Sequence, residues 1–144
     1  MSLLSDIENA IIVKLQPLVA LYEVAIGKLD DEQLSRPVQN KQIFVSYRRT
    51  SFSAPLFMDR ISMKQEVEFE ILTRGVDSRT HDAFYPILDE IISKLTGFHP
   101  IDSFRPLIPK SQDFDGRYID DSIFAYLQVF SLILQFEQTE NFDD

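Results

Sequence analysis

Cysteine is absent from the 144 residues, which excludes disulfide frameworks, thiolate nucleophiles and Cys-ligated zinc or iron–sulfur sites. Tryptophan is absent as well, and the four glycines are too few for a phosphate cradle or for extended flexible loops. Histidine occurs only as His81 and His99. Neither lies in a nucleophile elbow or a His-Glu-x-x-His arrangement, and each sits beside an expected helix boundary, where a polar residue is ordinary. No apolar run approaches the roughly 18–20 residues of a membrane span. The opening M-S-L-L-S-D-I-E-N-A has no basic region before its apolar residues, so it is not read as a secretory signal. Basic residues are in deficit, 14 against 23 acidic, for a net charge of −9. Such a chain repels nucleic-acid phosphates on average, which argues against DNA gripping by a basic patch but not against a place near DNA.

What is there suits a packed globule. Hydrophobic residues make up 44% of the chain, with twelve Phe and five Tyr, and the length fits one domain with one core. That domain is taken as residues 1–138, followed by a short acidic tail, 139–144, expected to fray. The clearest pattern is Ile61–Leu72, I-S-M-K-Q-E-V-E-F-E-I-L. Ile61, Met63, Val67, Phe69 and Ile71 share one parity, while Ser62, Lys64, Glu66, Glu68 and Glu70 share the other. Alternation of this kind predicts a strand with one buried face and one that is wet or contacted. Only Gln65 breaks the apolar set.

Around that strand the chain alternates between helical and extended signals. Leu4, Ile7, Ile11, Leu15 and Leu18 form a helical stripe, Ser5–Glu8 reads as its capping box, and Pro17 ends it near Gln16, with a turn allowed beyond. Tyr22–Ile26 predicts a short strand closed by Gly27, Leu29–Ser35 a short helix or a solvated turn, and Gln42–Arg48 a strand. Arg48–Arg60 reads as a connecting loop that carries Phe52, Leu56 and Phe57, large apolar groups that either fold back or meet a partner. Arg74–Thr80 reads as a polar connection. A helix is expected from near Asp82, with Phe84, Leu88, Ile91 and Leu95 on one face, ending at Gly97 as a left-handed cap. Ile101–Gly116 shows no convincing period. Ile123–Glu137 fits a strand buried on both sides, though a helical stripe can also be drawn through it.

Carboxylates are plentiful, but their spacing specifies no chemistry. Asp113-Phe114-Asp115-Gly116 begins like a calcium loop, yet it lacks the third oxygen donor and the distant Glu, so it reads as a turn. Paired acids for glycoside chemistry would need a cleft that no motif reveals. The expectation is therefore a protein that is not an enzyme, with no catalytic residue, cofactor or metal. The Glu66, Glu68 and Glu70 row has two readings: a solvated sheet face with cross-strand Lys or Arg partners, or an acidic face turned to a neighbour or a channel.

Taken in order, D-I-E-N-A-I-I-V-K-L (Asp6–Leu15), L-D-D-E-Q-L (Leu29–Leu34), I-F-V-S-Y (Ile43–Tyr47), V-E-F-E-I-L (Val67–Leu72), K-L-T-G-F (Lys94–Phe98), P-L-I-P (Pro106–Pro109) and the aromatic last strand form a pattern. It resembles the small tail-terminator proteins of Mu-like contractile-tailed phages and prophages. The resemblance implies a single compact α+β domain, with a mixed, largely antiparallel sheet of about four to five strands and two main helices on one face. It also implies a virion protein, made in the host bacterial cytoplasm, that forms a homo-hexameric ring on the head-proximal end of the tail tube. The ring would stop tube polymerisation and dock the neck or connector, with sheath as a further contact. DNA would pass the lumen without specific binding, and no membrane is involved.

A ring interface is heterologous, so each protomer offers two different patches. The candidates are the Arg48–Arg60 loop, with Arg48, Arg49, Phe52, Phe57 and Arg60, and the Glu66, Glu68 and Glu70 face. Arg and aromatic residues are the types that usually dominate interfaces, and an arginine of one protomer meeting a neighbour's acidic face would join the two. The competing readings are a head-tail stopper or neck protein, a tube-end cap of a related contractile injection system, and a small carboxylate-dependent hydrolase.

Overall fold

The computed structural model describes residues 2–29, 41–53, 56–57, 60–76, 81–101, 105–114 and 123–139. Helix α1 spans Leu3–Leu15 and buries Ile7, Ile11 and Leu15, one residue per turn. Its cap is Ser2, whose side chain accepts from the Ser5 amide at 3.1 Å, one turn earlier than the Ser5–Glu8 capping box predicts. Ser2 offers the same hydroxyl three residues upstream, and the added turn lets Leu4 pack against the core. Glu8, released from capping, accepts from the Tyr47 amide at 2.8 Å. Pro17 does not merely stop the helix. It occupies the first turn of a second one, α2 (Pro17–Tyr22), where its missing amide costs nothing. Glu23, at φ 56°, closes α2. Strand β1 is therefore Ala25–Lys28, with Gly27 inside it, rather than Tyr22–Ile26.

Strand β2 runs Gln42–Ser53, β3 is the two-residue Leu56–Phe57, and β4 runs Arg60–Val76. Most of the expected Arg48–Arg60 loop is thus strand. A 3-10 turn, His81–Ala83, leads into helix α3, Tyr85–Leu95, with Pro86 in its first turn. Gly97 has the expected positive φ, 82°. Its amide donates to the Leu107 carbonyl at 3.0 Å and the Leu107 amide to the Phe98 carbonyl at 2.8 Å, which ties the helix end to the following chain. Strand β5, Ile108–Phe114, lies in the stretch expected to be irregular. Every one of its residues is exposed, so no burial period marks it, and Pro109 is tolerated because the strand forms a sheet edge. Strand β6 spans Ile123–Thr139 and resolves the strand-or-helix ambiguity in favour of strand.

The sheet order is β1-β2-β4-β6-β5, with β3 pairing β4. Only β1 and β2 are parallel; the other pairs are antiparallel. This is the α+β architecture that the sequence leads one to expect. Strands β4 and β6 pair from Arg60↔Thr139 to Val76↔Ile123 and form the spine. On one sheet face Ile43, Val45, Val67, Phe69, Ile71, Phe130 and Leu132 meet the buried residues of the three helices. Each such aliphatic or aromatic side chain contributes on the order of 1.5–3 kcal/mol when fully buried. Gln128 on β6 pins α3 to this face, donating from Nε2 to the Leu88 carbonyl at 3.1 Å and to Gln112 Oε1 at 2.8 Å. Nearby, burial and then the neighbouring Tyr85 push the Tyr126 phenol up to about 12.

The opposite face is not simply wet. Phe44, Leu72 and Ala125 form a small buried cluster there. Arg74 belongs to β4 rather than to a connection. It lies over the Phe44 ring at 5.2 Å and donates from Nε to Gln42 Oε1 at 2.9 Å. Gly75 follows because a Cβ there would sit 3.0 Å from Phe84 Cε1 and 3.1 Å from the Lys41 Cα. The expected Leu29–Ser35 helix lies outside the described residues beyond Leu29, as does the tail beyond Thr139.

Candidate functional site

The candidate residues fall into two places on the same sheet. Arg48, Arg49 and Phe52 lie on β2, Phe57 on β3, and Arg60, Glu66, Glu68 and Glu70 on β4. Phe57 and Arg60 are register partners; their side chains lie outside the described part of the structure.

The first place centres on Glu68. Register between β2 and β4 shifts between Tyr47↔Phe69 and Arg49↔Glu68, so Arg48 is the extra residue of a β-bulge. Without it, Arg48 and Arg49 would project to opposite faces. With it, both reach the same carboxylate row. Arg48 Nε lies 3.7 Å from Glu68 and 3.6 Å from Glu70, and Arg49 Nε lies 3.3 Å from Glu68. A second bulge does the same from the far side. Between Pro109↔Phe130 and Ser111↔Val129 the extra residue is Lys110. Its Nζ reaches across β6 to Glu66 at 3.1 Å and Glu68 at 3.0 Å. The β6 residue paired with Glu68 is Ser131, small enough for a lysine to cross.

Three carboxylates therefore face three cations, and the row that reads as acidic in sequence carries no net charge as a cluster. Within the protomer the row has cross-strand cationic partners. The arginines expected to meet a neighbour's acidic face meet their own chain's. Glu68 is only 2% exposed, whereas Arg49 is 59% exposed. The cations lie over the carboxylate while their own far sides stay in water, so Glu68 is covered rather than deep. Burial alone pushes its carboxyl up, but hydrogen bonds from Lys110 and Arg49, with their charges, outweigh this and hold it below the ordinary range. Lys110 moves the opposite way, raised chiefly by its hydrogen bonds to Glu68 and Glu66. Lys110 is the participant that sequence reasoning misses. It sits in a strand with no buried face, and only the bulge brings it within reach.

The second place is the far end of the sheet. Leu134, paired with Gln65, is a core residue of β6, the last in that direction among the described side chains. Beyond it, Arg60–Lys64 pairs with Gln135–Thr139, and β3 flanks the start of β4. Strand β5 begins opposite Ser131, and the α3 cap is bonded to Leu107 just before it, so both stop short of this end. Phe52, the register partner of Gln65, is 66% exposed, and Tyr47, its ring edge-on to Phe69 at 6.1 Å, is partly exposed.

His99 is exposed, and the side chain of His81 is outside the described part. Among the described residues no group of three His, Cys, Asp or Glu side chains could hold a metal ion, and no helix is long and apolar enough to cross a membrane. A sequence-family model described as Gp37 protein matches residues 11–144. No curated protein matches the chain.

Proposed function

The chain belongs to the Gp37 protein family, a phage-associated family, and from that premise we propose that it is a tail terminator. In this reading it is a structural virion protein whose ring caps the head-proximal end of the tail tube, stops polymerisation and docks the neck or connector. The observation that carries the reading is the extent of the family match. Residues 11–144 contain all the motifs that resemble tail terminators except the first half of the opening helix.

The geometry supports a role in assembly more than in chemistry. Glu68, the most covered carboxylate of the row, is held ionised by cations, the opposite of what a general acid needs. Phe52, 66% exposed, and the partly exposed Tyr47 are aromatic side chains of the kind that dominate protein contacts. Because the Glu66–Glu70 row is neutralised within the protomer, this reading assigns the acidic lumen wall to other carboxylates of the chain, whose net charge is −9.

The test is to add purified protein to polymerising tail tubes and measure their length distribution by negative-stain microscopy. Elongation should stop at one end when the protein is present. Tubes that lengthen equally with and without it would reject the terminator role.

A further inference from the structure

We propose that the outer side of the Arg48, Arg49 and Lys110 group is a docking surface for a second copy of this chain, whose carboxylates it receives. The proposal rests on the ring reading above and names one of the two patches that a ring needs.

The cluster is neutral in sum but layered in space. Its carboxylates are the more covered groups, with Glu68 2%, Glu70 27% and Glu66 33% exposed. Its cations are the more open ones, with Lys110 37%, Arg48 39% and Arg49 59% exposed. An approaching surface therefore meets positive charge first.

These cations also keep donors to spare. Arg49 binds Glu68 through Nε at 3.3 Å and Nη2 at 3.4 Å, which uses one edge of its guanidinium. The Nη1–Nη2 edge can take a second carboxylate in the same forked way. Arg48 Nε lies 3.7 Å from Glu68 and 3.6 Å from Glu70, beyond hydrogen-bond reach. Among the described residues its guanidinium is thus ion-paired without a hydrogen bond. Two half-open arginines side by side offer a partner's carboxylates the donors that their own chain leaves unused.

The identity of the partner follows from charge. Removing the cluster's three acids and three bases from the chain's 23 and 14 leaves 20 acidic and 11 basic residues. Outside its own cluster, a second copy is therefore an acidic body. Chains of net charge −9 repel one another on approach, and a contact through these cations replaces repulsion by attraction. Duplex DNA is the poorer occupant, because its phosphates would come within a Debye length of three carboxylates on an acidic chain. The direction of the contact follows as well. Pairing this surface with itself about a two-fold axis would set cations against cations, so the receiving carboxylates lie elsewhere on the second copy. That is a heterologous joint, the kind from which a closed ring is built.

Sedimentation velocity of the full chain over a concentration series tests this, with circular dichroism as the check of folding. Wild type should form a ring. Raising salt from about 0.1 M to about 1 M shortens the Debye length from about 10 Å to about 3 Å and should weaken assembly. Arg48→Gln removes a charge but no hydrogen bond, so the fold should survive, and the concentration needed for assembly should rise about tenfold. Arg48→Glu should raise it further, by setting like charges against each other. Lys14→Glu changes the net charge by as much as Arg48→Glu does, at another exposed cation on α1, and should leave assembly close to wild type. Folded Arg48→Gln that assembles like wild type would overturn the docking surface while the ring reading stands. Equal weakening by Lys14→Glu and Arg48→Glu would trace the effect to bulk charge and overturn it too. Duplex DNA retarded by wild type but not by Arg48→Gln would assign the cations to phosphate instead. A wild type that is monomeric at every concentration would overturn the ring reading and the docking surface with it.

Discussion

Replacing Glu68 by Ala tests whether the two bulges build a working cluster or only a crowded surface. The substitution deprives Arg49 of the carboxylate it faces at 3.3 Å and Lys110 of one of its two. Arg48 keeps Glu70 at 3.6 Å, and Lys110 keeps Glu66 at 3.1 Å. A hydrogen bond to a charged group contributes about 1.5–3 kcal/mol, while exposed ion pairs contribute about 0–1 kcal/mol. Here the carboxylate is covered and the cations are not, so the cost lies between, at about 1–2 kcal/mol. It stays below the roughly 3–5 kcal/mol of breaking a buried pair, because the cations left behind reach water. Glu66→Ala, which removes a half-exposed group with one partner, should stay within about 0.5 kcal/mol.

Urea unfolding at pH 7 measures these differences, and pH supplies the control. The folded Glu68 binds its proton more weakly than the unfolded chain does. Its stabilisation is therefore complete above the unfolded value of about 4.3 and is lost as pH falls through the lower folded value. The gap between wild type and Glu68→Ala should close over that acid window. Lys110 works at the other end: its raised value means that its share is present below about 10.4 and is lost as pH rises through the folded value. Equal stability of Glu68→Ala and wild type at pH 7, or a gap unchanged at acid pH, would refute the reasoning.

Three further substitutions probe other joints. Arg49→Glu should lower the stability of the monomer by more than Glu68→Ala does, since a fourth carboxylate enters the row; adding Glu68→Arg should restore part of the loss in the same unfolding assay. Gly75→Ala should cost about 1–3 kcal/mol, seen as a lower Tm, because the new methyl meets the Lys41 backbone and the Phe84 ring at 3.0–3.1 Å. Gly97→Ala meets nothing within 4 Å, so its loss should be the backbone strain of a positive φ alone, about 1 kcal/mol.

The parts legible in the sequence are those where burial writes a period. Val67, Phe69 and Ile71 alternate because one face of β4 is core, and Ile87, Ile91 and Leu95 recur because one face of α3 is core. The α3 cap was readable too, since only a left-handed turn asks for Gly97 in that position. Strand β5 was not, because an exposed edge strand has no apolar alternation. The extension of β2 through Arg48 to Ser53 was hidden for a related reason. A bulge shifts parity by one residue, so the pattern breaks where the strand does not. The same bulge explains the candidate site. Sequence reasoning put Arg48 and Arg49 in a loop and paired that loop with a neighbour's acidic face, because the alternation of β2 breaks at the bulge and the strand pattern ends there. Lys110 carried no signal, since its partners lie 42 and 44 positions away across an intervening strand.

The central claim is the location of the protein in the particle. Cryo-electron microscopy of intact tails, with the chain labelled at an exposed position such as Asp89 on α3, tests it most directly. The account predicts a single ring of label at the head-proximal end of the tube. Label spread along the tube, confined to its distal end, or missing from assembled particles would contradict it.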